Sequence, residues 1–193
     1  MTQNRAKRHD VKRTALLIPI LVAMWSGGHA AAQQPTFRDA LMERLVGDWV
    51  LSGTINGHAT THDIRAEWVL NHQYVRIHET SRETNAGGEP AYDAFVFIGW
   101  NAGTKQYSCA WLDVYGSISA ESIAYADPSG DKLAFLFKAP DGDFHTTFAY
   151  DEKTNSWEMK MDSEAKGRLE PYARTVLTSK NTATGAPGVH GRQ

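Results

Sequence analysis

From Trp49 to Lys180 the chain alternates apolar and polar residues with a period of two, broken every eight to twelve residues by Gly, Asn, Asp or Pro. Period-two runs bounded by such residues predict short half-buried strands. Ten runs can be marked: 49–55, 61–70, 73–83, 91–100, 106–116, 117–126, 132–139, 144–151, 156–162 and 168–180. Asn56-Gly57 joins the first two as a type I′ hairpin, which requires positive φ at both central residues. Asn71-His72 turns the chain again, and residues 84–90 form the one long connection. Ahead of the strands, Phe37, Ala40, Leu41 and Leu45 recur at helical spacing after Pro35-Thr36. They predict a short amphipathic helix over Phe37–Leu45 that ends at Gly47.

No long helix lies between the runs, so parallel βαβ topology is excluded. A meander of this many antiparallel strands escapes exposed edges by closing on itself. The expectation is an all-β, antiparallel up-and-down barrel of about ten strands with a short N-terminal helix. A sandwich is the second choice, but it would need longer crossovers.

The N-terminus has a different pattern. Arg5, Lys7, Arg8, Lys12 and Arg13 precede an apolar run of 12 residues, Thr14–Trp25, which Pro19 interrupts. Small residues follow, and Ala30 and Ala32 fit an A-x-A cleavage site. A spanning helix needs roughly 20 residues, so residues 1–32 read as a secretory signal cut after Ala32, or after Ala30. The expected organisation is signal 1–32, barrel 33–180 and a disordered tail 181–193. The expected location is exported, periplasmic or secreted, with no stable membrane span after cleavage. Removing five basic residues and Asp10 leaves 15 basic and 21 acidic residues in the mature chain, a net charge of −6. That balance argues against nucleic acid or an anionic membrane as partner. Cys109 is the one cysteine, so no internal disulfide is expected, and it reads as a small buried strand residue.

Alternation also assigns faces. His62, Ile64, Ala66, Trp68 and Leu70 should point inward, with Asp63, Arg65 and Glu67 in water. The third run is ambiguous. If Val75 and Ile77 point in, Arg76 and His78 are solvated; if the face of Tyr74, Arg76, His78 and Thr80 points in, Arg76 and His78 orient a ligand. In the fifth run Tyr107, Cys109, Trp111, Asp113 and Tyr115 share a face. The candidate ligand-binding residues are Trp68, Tyr74, Arg76, His78, Trp111 and Asp113.

His58, His62, His72 and His78 invite a metal reading, but residues four apart on a strand are about 13 Å apart. No Cys pair or H-E-x-x-H is present. No metal site is expected, and these histidines read as surface residues. There is no Gly-x-Ser-x-Gly elbow, P-loop or dinucleotide fingerprint.

The stretches "LVGDWVLSG" (Gly47, Trp49, Gly53), "AEWVLNHQYV" (Trp68, Leu70, Tyr74), "FIGWNAGTKQYSCAWLDVYG" (Gly99, Trp100, Lys105, Tyr107, Trp111, Asp113, Gly116) and "YARTVL" (Arg174) occur in this order. Together they resemble the calycin group of lipocalins, fatty-acid-binding proteins and nitrobindin-type barrels, and in particular a lipocalin-like, often exported bacterial family of unknown function. The resemblance implies a barrel whose first-strand Trp49 packs under Arg174 by a cation–π contact, so Gly47, Trp49 and Arg174 take structural roles. Nitrobindin-type proteins have G-x-W-x-G-x-G in the first strand, where Leu51 stands here for the middle glycine. They also hold haem iron through a late histidine, whereas the last three runs carry only His145. Haem binding is therefore not carried over, and no cofactor is expected.

The functional expectation is an exported small barrel that binds a small apolar or amphipathic molecule inside. The alternatives are an enzyme using Asp113 and a histidine such as His78, and an envelope interaction protein that takes no ligand.

Overall fold

The structure, a computed structural model, describes residues 37–116 and 118–180. The expected signal 1–32 and tail 181–193 lie outside the described residues. Ten antiparallel strands close into a barrel: β1 (Gly47–Ile55), β2 (His58–Val69), β3 (Tyr74–Ser81), β4 (Asp93–Asn101), β5 (Gln106–Asp113), β6 (Ile123–Ala126), β7 (Lys132–Phe137), β8 (Phe144–Asp151), β9 (Ser156–Ala165) and β10 (Arg168–Ser179). Each strand pairs with its sequence neighbours, and β1 closes on β10 from Trp49 opposite Ser179 to Ile55 opposite Ala173. The expected up-and-down barrel is the fold observed.

The helix α1 is shorter than expected, Ala40–Leu45, because Asp39 caps it: its side chain accepts from the Leu41 and Met42 amides at 2.9 and 3.0 Å. The Tyr107 hydroxyl donates to the other Asp39 oxygen at 2.7 Å and ties this cap to β5. The buried face is Leu41, Met42 and Leu45, while Ala40 is exposed. A helix end leaves carbonyls without intrahelical partners. Here Trp49 donates from its indole to the Leu45 carbonyl at 2.9 Å, and Trp157 donates to that of Arg44 at 3.3 Å. The two indoles thus fix α1 over one end of the barrel. Phe37, beside the cap, packs against Trp68, Trp100 and Tyr107. Gly47 does not cap the helix but begins β1, at φ +147°.

The expected contact between Trp49 and Arg174 is not formed. Arg174 lies opposite Thr54, five residues along β1 from Trp49, and on the outer face. Its guanidinium binds Asp162 and the Met161 and Ala173 carbonyls. The cation–π contact at the helical end is made by Arg44, 4.9 Å from the centre of the Tyr150 ring. Leu51, at the position of the missing glycine, is fully buried and fills the interior.

Two local differences have identifiable causes. Among the described residues of the run 117–126, Ile123–Ala126 is strand and Ala120–Ser122 is a 3₁₀ turn. Ser119 caps that turn by accepting from the Glu121 amide, a local bond that competes with ladder pairing. β9 extends to Ala165, beyond the expected end at Asp162, because Lys166-Gly167 forms a second two-residue hairpin with φ +53° and +73°. The Asn56-Gly57 turn has φ +49° and +77°, as expected.

The core fills the helical half of the barrel with Leu51, Val75, Val96, Ile98, Leu133, Phe135, Trp157, Met159 and Leu177. Cys109 is buried among them, and burial pushes its thiol pKa up, which disfavours the reactive thiolate. Toward the other end the inward positions change character: His62, Glu79, Ser81, Thr146 and Thr175 are all buried.

Candidate functional site

The end of the barrel opposite α1 holds a cavity of about 860 Å³. It is bounded by the last residues of β1, β3, β5 and β7, the first of β2 and β8, and Met161 and Tyr172 from within β9 and β10. Strand order divides its wall in two. Adjacent strands β2 and β3, with β5 one strand further on and the β3–β4 connection, contribute Thr60, His62, Glu79, Glu83, Tyr92, Trp111 and Asp113. The facing strands β7 to β10 contribute Phe137, Phe144, Met161 and Tyr172, with Thr146 among them. One side is polar and the other apolar.

The polar side is organised by a buried pair. On β3 the inward face is Val75, Ile77, Glu79 and Ser81. The apolar residues decide the face, and Glu79 follows them by period. On β2 the same logic brings in His62 with Ile64 and Ala66. Register places Ile64 opposite Glu79 and His62 opposite Ser81, so His62 and Glu79 are diagonal neighbours. His62 Nδ1 and Glu79 Oε1 lie 2.5 Å apart, and the side chains are 5% and 3% exposed. The other ring nitrogen, Nε2, lies 2.8 Å from the Thr60 hydroxyl. The Thr60 hydroxyl also lies 3.2 Å from Glu83 Oε2, and the Thr61 amide donates to Glu83 Oε1 at 3.2 Å. Backbone hydrogen bonds, the nearby hydroxyl of Thr60 and His62 hold the Glu83 pKa below the usual carboxylate range.

Tyr92 stacks on the His62 ring at 5.7 Å between centroids, and its hydroxyl accepts from the Trp111 indole at 2.9 Å. Burial pushes the Tyr92 pKa up, and the neighbouring charge of Glu79 adds to the rise. Asp113 stands at the rim, where it accepts from the Tyr115 amide at 3.0 Å. On the apolar side, a register shift between Pro171 and Ala173 leaves Tyr172 without a partner in the ladder. Its ring packs edge-on against Phe144, 5.2 Å away. Thr146 is 1% exposed, and its hydroxyl has no hydrogen-bond partner. An unpaired buried hydroxyl costs stability unless something fills its valence.

Of the six sequence candidates, the cavity brings together Trp111 and Asp113. Trp68 is at the helical end, where its indole donates to Glu43 and its ring stacks on His72. Tyr74 covers Gly99, where an added Cβ would meet its ring at 2.6 Å. Arg76 and His78 lie on the outer face because Val75 and Ile77 point in. Arg76 binds Glu67 and lies over Phe95, and His78 pairs with Asp93 at 2.8 Å. Asp113 and His78 are therefore on opposite faces of the wall and share no hydrogen bond.

The metal reading gains no cluster: among the described residues, no three His, Cys, Asp or Glu side chains gather to hold an ion. His62 is 4% exposed inside the barrel, in line with the inward face assigned to it by alternation and against its reading as a surface histidine. His62, Glu79, Tyr92 and Thr146 were not among the candidates. Their signal is a polar residue in phase with an apolar inward face: Glu79 with Val75 and Ile77, Tyr92 with Ala94 and Val96, Thr146 with Phe144 and Phe148. Comparison with protein-family models finds none that matches the chain, and comparison with curated proteins finds no significant match.

Proposed function

We propose that the protein is an exported barrel that binds one small amphipathic molecule in the cavity opposite α1. The observation that carries this reading is the two-sided wall. Small-molecule sites are largely apolar cavities of about 300–1,000 Å³ with a few placed polar groups, and this one is about 860 Å³. The apolar surface of Phe137, Phe144 and Met161 offers burial for a hydrocarbon or ring. The facing polar groups, held by the His62–Glu79 pair, orient the other end of the ligand. Saturable fluorescence enhancement of the neutral probe N-phenyl-1-naphthylamine, abolished in Ala139→Trp at the half-buried rim, supports the reading. Absence of saturation, or equal binding by the variant, overturns it. Export rests on the layout of residues 1–32. N-terminal sequencing of protein recovered from the host's envelope fraction tests it, with Gln33 or Ala31 expected as the first residue.

The chain Glu79–His62–Thr60 favours a second reading. A carboxylate that holds an imidazole whose other nitrogen meets a hydroxyl is the arrangement of a general base. Hydrolysis of a 4-nitrophenyl ester, lost in both Thr60→Val and His62→Gln, would establish it. Equal rates in the variants would remove it.

A further inference from the structure

The charge of the wall specifies more than amphipathic character. The cavity is lined by four carboxylates, Glu79, Glu83, Asp113 and Glu121, and among the described residues that line it there is no Lys or Arg. Glu79 is matched by His62. The other three have no basic side chain among the cavity-lining groups besides His58 and His62. Glu79 and Asp113 are each in register with Ala94, from either side. Two inward carboxylates therefore flank a position that carries only a methyl group, about 10 Å apart across two strand spacings. Aromatic rings stand on the same side: Tyr92 against His62, Tyr115 6.2 Å from Tyr92, and Trp111 bonded to Tyr92. Ring faces attract cations, and carboxylates in a partly desolvated cleft attract them more strongly than in water. Independently, Thr146 on the facing, apolar side is 1% exposed, and its hydroxyl has no hydrogen-bond partner.

We propose that the cavity selects a ligand whose polar end is a cationic amine and whose remainder is apolar, and that it rejects carboxylate amphiphiles of the same length. This rests on the reading of the cavity as a ligand site. A carboxylate head would enter among Glu83, Asp113 and Glu121 with no Lys or Arg to meet it. An ammonium head would neutralise part of that charge.

The test is isothermal titration of the protein at pH 7 with octylamine, 1-octanol and octanoate, which share one chain and differ in head charge. Octylamine is expected to bind roughly tenfold tighter than octanol, about 1.4 kcal/mol, with octanoate weakest. The preference should shrink severalfold in high salt. It should also shrink in the double variant Asp113→Asn with Glu121→Gln, two rim positions where the amide preserves shape and, at Asp113, the bond to the Tyr115 amide. Octanoate binding as tightly as octylamine, or a preference unmoved by salt and by the double variant, overturns the charge assignment while leaving the cavity a ligand site. Saturable binding by none of the three overturns both.

Discussion

His62 and Glu79 meet inside the barrel at 2.5 Å although seventeen residues separate them, because the β2–β3 register sets them diagonally on one face. Both are buried, so each is tolerated there through the other. Removing one partner leaves the second without compensation, at a cost of about 3–5 kcal/mol. Glu79→Ala is therefore expected to lower unfolding stability by that order in urea titration. Glu79→Gln, whose amide oxygen still accepts from Nδ1, should cost clearly less. Equal losses would mean that packing, not the pair, stabilises this position.

Thr146 predicts the opposite sign. Its hydroxyl is buried and unpaired, so Thr146→Val exchanges an unsatisfied group for a methyl of similar shape. Thermal melts of the free protein should show no loss of Tm, and a small gain is expected. A large loss of Tm would show that the hydroxyl has a partner in solution.

Gly53 and Gly57 both have positive φ, +153° and +77°, but only Gly53 is crowded as well. At Gly53 an added Cβ would meet the Arg174 carbonyl oxygen at 2.2 Å and Thr175 Cα at 2.7 Å, both on the neighbouring β10 backbone. Gly53→Ala must push the closing strands apart, and a loss of about 1–3 kcal/mol is expected. At Gly57 the space is open and only φ +77° opposes a side chain. Gly57→Ala should cost about 1–2 kcal/mol, the left-handed penalty alone. Urea midpoints for the two variants check the ranking.

Asp63 on the outer face supplies a pH dependence. The Arg82 side chain first, and Lys180 second, hold its carboxyl well below its ordinary value of 3.8. A depressed folded pKa means stability that is present above the ordinary value and lost as pH falls toward the folded one. Asp63 is 42% exposed, so screening limits the effect to about 1 kcal/mol or less. The Tm difference between the protein and Asp63→Asn should be present at pH 7 and narrow as pH falls below 3.8. A difference that grows on acidification contradicts the assignment.

Strand number, order and closure were legible because the apolar period of two and the Gly, Asn and Asp turns are local signals. The site was less legible because it depends on register, which is not local. The run Val75–Glu79 already held the answer: once Val75 and Ile77 point in, Arg76 and His78 go to the surface and Glu79 goes inside. That His62 waits there to receive Glu79 follows from the pairing of β2 with β3. Trp68 misled for a related reason. It shares a face with His62, Ile64 and Ala66 but lies at the helical end, where Phe37 and Glu43 take it up. Trp49 and Arg174 were joined by resemblance, whereas the β1–β10 register separates them.

The central claim is that the cavity beside His62 and Glu79 takes the ligand, and the tryptophans report on it directly. Trp111 lines the cavity, whereas the Trp49, Trp68 and Trp157 indoles are bonded to Leu45, Glu43 and Arg44 of the helix at the far end. In a proton–nitrogen NMR titration with octylamine, the indole N–H resonance of Trp111 should shift saturably while those of Trp49, Trp68 and Trp157 stay in place. Shifts confined to the helical-end indoles, or none at Trp111 at saturating amine, would contradict the account.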